Sequence, residues 1–332
     1  RARTPEQVAD DVRAGLAECV RTGTTLVGDI SGDGGSWDAL AASPIRAVVF
    51  RELLGLTGDG LRAASRAAAE WAHDRAATPT CRPGLSPHAP YSVHRQIYHM
   101  LTSPAWPYPL PLATHLGESS DELNLLTRRA GPFVPFLQEL GVWNPDGLVE
   151  PYELGDRLSL ADRAPLLLAH CNYLGPSTIP RNATVVYCPR THAAFGHPPH
   201  PFRDFLARGI RVALGTDSLA SNPDLDLLAE ARFLRHQTDL TGETILRLAT
   251  LAGAEALGFG DVTGSLTPGK SADLAVVPLP AGRRIGCQPV LFASGQAGSL
   301  SYETADPHDL VLASDLPVSR VMCRGRWLPP AV

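Results

Sequence analysis

The sequence has little of what marks membrane, secreted or nucleic-acid-binding proteins. Its 332 residues include no apolar run near the roughly 18–20 residues of a membrane span, and the N-terminal segment lacks the apolar stretch of a secretory signal. The formal net charge is −5, and no cluster of basic residues provides a positive field for nucleic acid. We therefore expect a cytoplasmic protein that binds neither membranes nor nucleic acid.

Lysine and closely spaced cysteine are also scarce. The six cysteines include no Cys-x-x-Cys pair, so the sequence indicates neither a zinc ribbon nor a disulfide framework, and we expect reduced, mostly buried thiols. Lys270 is the only lysine among the 29 basic residues. The remaining composition, 44% hydrophobic and 19% charged, is that of an ordinary globular protein.

Strand-like and helix-like segments alternate along most of the chain, which predicts a parallel sheet. The first helix is expected to begin after Thr4, which can cap it, with Pro5 at the first helical position. Seven apolar strands are predicted, over 24–30, 45–50, 85–88, 112–115, 166–171, 184–188 and 210–217. Further helices are predicted after Ser92 and over 61–77, 121–129, 201–208, 224–236 and 243–252.

Polar side chains end several of the predicted strands. His88, His115, His170 and Asp217 each close an apolar run. In a (β/α)8 barrel all such positions face one pocket, whereas an open doubly wound sheet brings fewer strand ends together. We therefore predict an α/β fold, a (β/α)8 TIM-type barrel over residues 1–262, in which the first strand is missing and the barrel is N-terminally truncated.

The remainder of the chain consists of short β-rich pieces separated by glycine and proline. Examples are residues 272–277, 309–313 and 318–324. Short strands bounded by turn residues are typical of small β-domains. We predict a small β-sandwich-like domain segment over residues 263–332.

A carboxylate follows one strand-ending histidine at a spacing that suits catalysis. Glu118 comes three residues after His115, so a strand-to-loop turn can place the histidine at a metal ion and the carboxylate beside it as a proton carrier. This pair alone is also compatible with a packed histidine and a capping glutamate. Because burying ionisable groups is costly, His170 and Asp217 at neighbouring strand ends favour the functional interpretation.

This set of residues indicates metal-assisted hydrolysis. Imidazole and carboxylate ligands suit zinc or iron, and such an ion lowers the pKa of a bound water. Asp217 can both bind the ion and take the proton of the water, and Glu118 can relay that proton to a leaving nitrogen. Two firm ligands are fewer than the three protein ligands usual for a catalytic zinc, so part of the ligand set is missing.

Several ordered motifs together resemble the amidohydrolase superfamily, and within it the cytosine-deaminase-like and chlorohydrolase-like branch, which includes deaminases of adenosine-type and aminofutalosine-type substrates. The resemblance covers essentially the whole chain. The matching stretches are Gly23-Thr24-Thr25 with Asp29, Pro87-His88-Ala89-Pro90-Tyr91-Ser92-Val93, His115-Leu116-Gly117-Glu118, Ala169-His170-Cys171, Cys188-Pro189-Arg190, Leu214-Gly215-Thr216-Asp217-Ser218, residues 249–254 and residues 264–274.

The resemblance implies a role for each matching polar residue. His115 and Asp217 correspond to metal ligands, and Glu118 corresponds to the proton shuttle, which also contacts the substrate. His170 corresponds to the partner of the metal-bound water or of the substrate, and His88 to a substrate contact. By this resemblance the catalytic groups are Glu118, His170 and Asp217.

The chain departs from the family pattern in its metal ligands. The His-x-His pair that closes the first barrel strand of the family has no counterpart, in keeping with the missing first strand. We expect a truncated chain, inactive by itself, rather than a degenerate metal-free relative. Binuclear members use a carboxylated lysine on a middle strand, but Lys270 lies past the barrel, which favours one divalent ion, zinc before iron. The His-x-Glu and Pro-Cys-x-x-Cys pattern of cytidine deaminases is absent.

The loop over residues 188–200 is rich in histidine. His192 stands where family members more often have asparagine, and we expect it to line the substrate pocket or to pack. Arg190 is a candidate contact for a polar substrate group, although an exposed loop arginine is equally compatible with the sequence. Surface or packing roles are expected for His197 and His200.

The function predicted from the sequence is hydrolytic deamination of an aminated heterocycle or purine nucleoside by a metal-dependent enzyme. Two alternatives stay open at this point. One is a chlorohydrolase or other amidohydrolase that uses the same metal-bound water, and the other is a non-catalytic scaffold that keeps the barrel. The expected partner is a small heterocyclic substrate, and a homo-oligomer is left open.

Overall fold

A seven-stranded parallel sheet dominates the computed structural model, which describes residues 4–279 and 306–329. Each strand pairs with the next strand in chain order. The strands are β1 (Leu26–Ser31), β2 (Arg46–Leu53), β3 (Cys81–Pro87), β4 (Leu112–Leu116), β5 (Leu166–His170), β6 (Ala183–Tyr187) and β7 (Arg211–Leu214). The seven predicted strands and the barrel-type α/β fold are confirmed.

Helices follow most of these strands and pack against the outer face of the sheet. The first begins as predicted, because the Thr4 hydroxyl accepts from the Gln7 N–H and the Gln7 side chain accepts from the Thr4 N–H. The helices are α1 (Pro5–Arg21), α2 (Trp37–Ala41), α3 (Gly58–Asp74), α4 (Arg95–Leu101), α5 (Ser120–Arg128), α6 (Phe133–Glu139), α7 (Pro151–Leu158), α8 (Pro189–Ala194), α9 (Phe202–Ala207), α10 (Leu227–Gln237), α11 (Gly242–Ala249), α12 (Leu251–Ala256) and α13 (Pro307–Ala313), with a 3₁₀ turn at Pro145–Gly147.

Two apolar layers lie on opposite faces of the sheet. On β2, Ala47 and Val49 pack outward in the large cluster formed with the helices. Val48 and Phe50 point the other way, into a smaller cluster that Phe259 completes from the segment after α12. Because side chains alternate along a strand, this smaller cluster is the filling of the barrel interior. The carboxyl ends of the strands lie beyond it and form the mouth of the barrel.

A separate antiparallel sheet follows the barrel strands, in the order β10-β9-β8. Its strands are β8 (Leu274–Val276), β9 (Arg320–Cys323) and β10 (Arg326–Trp327), which agrees with the β-rich pieces predicted over 272–277 and 318–324. The division of the chain at residue 262 stays a prediction.

The β-rich piece predicted over residues 309–313 is wrong, because this segment belongs to helix α13. Pro307 occupies the first turn, and the Asp306 carboxylate accepts from the His308 N–H as the helix cap. Leu310 and Leu312 are buried. A short apolar run fits a strand or a helix equally well, so the Asp-Pro start was the signal that decided between them.

Two predictions from composition can be compared with the described residues. Within residues 4–279 and 306–329, no helix is long and apolar enough to cross a membrane. Five cysteines are unpaired, four of them buried and Cys19 partly buried, whereas Cys287 lies outside the described residues. Burial raises the pKa of the Cys19 and Cys323 thiols to about 11.

Candidate active site

The strand ends bring the predicted ionisable groups together at the mouth of the barrel. His115 lies near the end of β4 and His170 ends β5, while Glu118 and Asp217 lie in the turns after β4 and β7. Ligand atoms of Glu118, His170 and Asp217 all lie within 4.8 Å of one another. The ring of His115 stacks on that of His170 at 5.5 Å between centroids, and the ring of His88 lies 5.2 Å from that of His115.

An unusual backbone conformation orients the side chains of His170 and Asp217. His170, Cys171 and Asp217 have φ angles of 68°, 57° and 60°, in the left-handed region that residues other than glycine seldom adopt. The Cys171 N–H donates to the Leu116 carbonyl at 2.8 Å, so the neighbouring strand holds the turn. Such conformations cost about 1–3 kcal/mol each and concentrate at functional sites.

Hydrogen bonds set the protonated nitrogen of His115 and the orientation of the Asp217 carboxylate, the two predicted metal ligands. The His115 Nδ1 lies 2.9 Å from the His88 carbonyl, which can only accept, so Nδ1 carries the proton and Nε2 keeps a lone pair. The Asp217 carboxylate accepts from the Ser221 hydroxyl at 2.7 Å and from the Ser218 N–H at 2.8 Å. A neutral imidazole and an oriented carboxylate fit a divalent metal ion.

Burial shifts the pKa values of the two remaining groups in opposite directions. Burial raises the pKa of Glu118, and attraction to His115 when that ring is protonated opposes this shift only in part. Burial lowers the pKa of His170, which is 4% exposed, and repulsion from His115 when that ring is protonated adds to the shift. The Glu118 Oε1 and His170 Nε2 atoms are 3.8 Å apart. The site therefore pairs a neutral imidazole with a carboxyl group that holds a proton more readily than usual.

Glu122 stabilises the turn that contains Glu118, and this role was not predicted from the sequence. The carboxylate of Glu122 accepts from the Gly117 N–H at 3.0 Å and from the Glu118 N–H at 2.8 Å. The residue is only 1% exposed. Glu122 is the third residue of α5, and Ser119 is the N-cap of that helix. A serine followed three residues later by glutamate is the capping-box pattern, which could have identified Glu122 from the sequence.

We predict that Glu122→Gln changes how stability depends on pH. Burial raises the pKa of Glu122 from 4.5 to about 7, although the backbone N–H groups of Gly117, Glu118 and Ser119 oppose the shift. The folded protein thus retains a proton that the unfolded chain releases, and this stabilisation is lost as pH rises from about 4.5 to 7. Urea unfolding measures the free energy of unfolding of the wild type and of Glu122→Gln. The value for the wild type minus that for the variant should fall by about 2 kcal/mol between pH 5 and pH 8.

The exposed Glu70→Gln on α3 is the control for this measurement, and its difference from the wild type should be the same at both pH values. An unchanged difference for Glu122→Gln would contradict the proposed burial effect.

The histidine-rich loop packs beside the site. His200 Nε2 donates to the His170 carbonyl at 2.7 Å, and burial lowers the pKa of His200 to about 3. The ring of His192 lies 5.4 Å from that of His197 and 5.6 Å from that of His200, and its buried Nε2 has no partner within the described residues. His200 therefore supports His170, and pocket lining by His192 stays a prediction.

Arg190 does not have the free side chain that a substrate contact needs. Its Nε donates to Glu230 Oε1 at 2.7 Å, and its two terminal nitrogens donate to the Asp224 carboxylate. Glu230 is fully buried and also accepts from the Arg190 N–H and the Asn222 amide. Two carboxylates already occupy the guanidinium, which favours a structural role, and the substrate contact of Arg190 stays a prediction.

His88 remains a candidate substrate contact at the end of β3. Its Nδ1 lies 2.5 Å from the Ser92 hydroxyl, and its ring stands edge-on to that of Tyr91 at 5.6 Å. Burial, together with repulsion from His115 when that ring is protonated, lowers the pKa of His88 to about 4. The His88 ring is therefore neutral at pH 7 and fixed in orientation.

Comparison with known proteins places this architecture in a family. A model of the amidohydrolase family matches residues 3–328. The chain belongs to the amidohydrolase family. This amidohydrolase chain is 33% identical over 278 residues to a 5-methylthioadenosine/S-adenosylhomocysteine deaminase from Syntrophobacter fumaroxidans, and the match covers 79% of this chain and 59% of that relative. The chain thus spans about three fifths of the relative's length.

Solved structures of two deaminases share the fold. The structure of Helicobacter pylori aminofutalosine deaminase superposes with a TM-score of 0.77 at 24% identity, covering 96% of this chain and 77% of that chain. An adenosine deaminase from Xanthomonas campestris with bound zinc gives a TM-score of 0.71 at 25% identity, covering 98% of this chain and 70% of that chain. The resemblance inferred from the motifs is confirmed.

Proposed function

We propose that this chain forms the catalytic core of a metal-dependent hydrolase that releases ammonia from an aminated purine nucleoside or a related heterocycle. The observation that carries the proposal is the convergence of Glu118, His170 and Asp217 within 4.8 Å, next to a His115 whose Nε2 keeps its lone pair. The deaminase named among the relatives and the zinc-bound adenosine deaminase of the same fold support this reaction class.

His115 and Asp217 are the residues that would hold one divalent ion, with zinc before iron. The ion would lower the pKa of a water molecule and so supply a nucleophile at neutral pH. Histidine nitrogen and carboxylate oxygen are ligands that zinc accepts. The chain contains no His-x-His pair, so we assign no protein ligands beyond His115 and Asp217.

The chain's own residues account for the proton transfers. In a hydrolytic deamination, the oxygen of water bonds to the ring carbon and the carbon–nitrogen bond breaks. The amino group leaves as ammonia with one proton of the water, and the other proton stays on the product. Asp217 accepts a proton from the water, and Glu118, whose raised pKa favours its protonated form, delivers a proton to the leaving nitrogen. Neutral His170 can hydrogen-bond the attacking oxygen or the substrate.

The experiment that tests this proposal measures ammonia release by the full-length gene product. The substrates are adenosine, 5′-methylthioadenosine, S-adenosylhomocysteine and adenine, each assayed with zinc, with iron and after chelation. A chloro-substituted triazine, with chloride as the measured product, represents the chlorohydrolase alternative. We expect ammonia from at least one purine substrate, loss of that activity on chelation and its recovery on adding zinc.

Two results would overturn the proposal. Chloride release without ammonia release would favour a chlorohydrolase. A full-length product that binds no metal and acts on none of the substrates would favour the scaffold alternative. The cytoplasmic location and a homo-oligomeric state stay predictions.

A further inference from the structure

The turn after β7 contains Asp217, and Asn222, which the mechanism above does not use, ties this turn to helix α10. The Asn222 amide nitrogen donates to the Thr216 carbonyl at 2.5 Å and to Glu230 Oε1 at 2.6 Å. A backbone carbonyl only accepts hydrogen bonds, so the nitrogen of the amide, and not its oxygen, faces Thr216. Asn222 is 5% exposed, and Glu230 on α10 is fully buried.

The backbone of Asp217 needs such support because it is strained. Its φ angle of 60° is unfavourable for a residue other than glycine, and such a conformation persists only where the surrounding structure fixes it. The Thr216 carbonyl and the Asp217 N–H belong to one planar peptide group, and the φ angle of Asp217 is the rotation between that plane and the rest of the residue. A hydrogen bond that holds the Thr216 carbonyl therefore also holds the φ angle of Asp217.

Glu230 anchors Asn222 and at the same time binds a second element of the barrel mouth. Its carboxylate accepts from the Arg190 N–H at 2.9 Å and from the Arg190 Nε at 2.7 Å, at the start of α8. One buried carboxylate on α10 thus joins the segments that follow β6 and β7. Because a buried helix is a more rigid support than a loop, this anchor limits the movement of the Asp217 turn.

The other hydrogen bonds of this turn are local or longer. The Ser221 hydroxyl and the Ser218 N–H donate to the Asp217 carboxylate, and the Asn222 N–H donates to the Ser218 carbonyl at 3.0 Å. These bonds shape the turn but do not attach it to a neighbouring element. The Ser221 and Thr191 hydroxyls are 3.3 Å apart, which is long for a bond between hydroxyls. The short bond from Asn222 to a buried carboxylate is therefore the stronger attachment.

We infer that Asn222, anchored on Glu230, is a positioning residue that holds Asp217 in the conformation needed to bind the divalent ion and to accept the proton. This inference rests on the proposed function. Because Asn222 acts through the backbone of the β7 turn, its loss should weaken the metal site more than the binding of the substrate. Zinc affinity and kcat therefore report on Asn222, whereas KM does not.

The test measures zinc binding by the full-length gene product, with and without Asn222→Ala, in competition with a chromophoric chelator. Loss of a residue that orients a metal ligand typically weakens metal binding by about 10- to 100-fold, and we expect a loss of this size. With zinc at saturation, the kcat of ammonia release should also fall by about 10- to 100-fold, because Asp217 is displaced. The KM should change by less than about threefold.

The matched control is Asn182→Ala. The Asn182 amide also donates to a backbone carbonyl, that of Ala161 at 3.0 Å, but it lies just before β6, at the end of the sheet opposite to the site. This control should leave zinc affinity, kcat and KM unchanged. Asn222→Ser is a milder second variant, since a hydroxyl offers one donor where the amide offers two, and it should show the same losses if Asn222→Ala does not fold.

Three results would overturn the inference. A merely structural role for Asn222 would lower the thermal unfolding temperature but leave the zinc affinity and kcat of the folded variants unchanged, and the proposed function would then stand. Failure of both Asn222 variants to fold would also contradict the inference, because it confines the effect to one turn. If the wild type neither binds zinc nor releases ammonia from any nucleoside, the proposed function fails and the inference fails with it.

Discussion

Replacing Asp217 with asparagine is expected to lower the turnover of ammonia release by the full-length gene product by about 10²- to 10⁴-fold. Asparagine keeps the shape of the side chain, and its oxygen can still accept from the Ser218 N–H. It lacks the charge that binds a cation and the basicity that accepts a proton. The rate should therefore fall while the thermal unfolding temperature stays close to that of the wild type.

The matched control for Asp217→Asn is Asp261→Asn, which changes an exposed aspartate after α12. This control should leave turnover unchanged. A loss below tenfold for Asp217→Asn in a folded protein would remove Asp217 from the reaction and with it the assignment of the site.

Replacing Arg190 with methionine is expected to lower the free energy of unfolding by about 3–5 kcal/mol, because it leaves an uncompensated buried charge. Glu230 is fully buried, and Arg190 supplies both a guanidinium and a backbone N–H to it. Urea unfolding measures the loss. The KM of the full-length product should change little, since the guanidinium is already occupied by Glu230 and Asp224.

The double variant Arg190→Met/Glu230→Gln separates this explanation from a general packing defect. Removing the buried charge together with its partner should recover part of the stability lost by Arg190→Met alone. A variant Arg190→Met of normal stability with a strongly raised KM would instead support the substrate contact suggested by the sequence.

Much of the fold and of the site can be predicted from the sequence because one physical rule links them. Apolar runs that end in an ionisable residue mark buried strands that open into a pocket, and this rule identified His115, His170 and Asp217. The capping box at Thr4 likewise fixed the start of α1. These features depend on local sequence, so no knowledge of distant contacts was needed.

The parts that the sequence did not reveal depend on contacts between distant segments. The role of Arg190 is set by Glu230, forty residues later, and that of His200 by the His170 carbonyl. Glu122 is a capping-box residue in sequence, but its reach to two N–H groups of the preceding turn depends on the left-handed Gly117.

The central claim is that this site adds water to a ring carbon and expels ammonia. The most direct measurement is deamination by the zinc-loaded full-length gene product in ¹⁸O-labelled water, with mass analysis of the product. The claim predicts that each product molecule carries one oxygen from the solvent for each ammonia released, and that Asp217→Asn forms far less of it than Asp261→Asn. Ammonia release without the solvent label, or equal rates for the two variants, would contradict it.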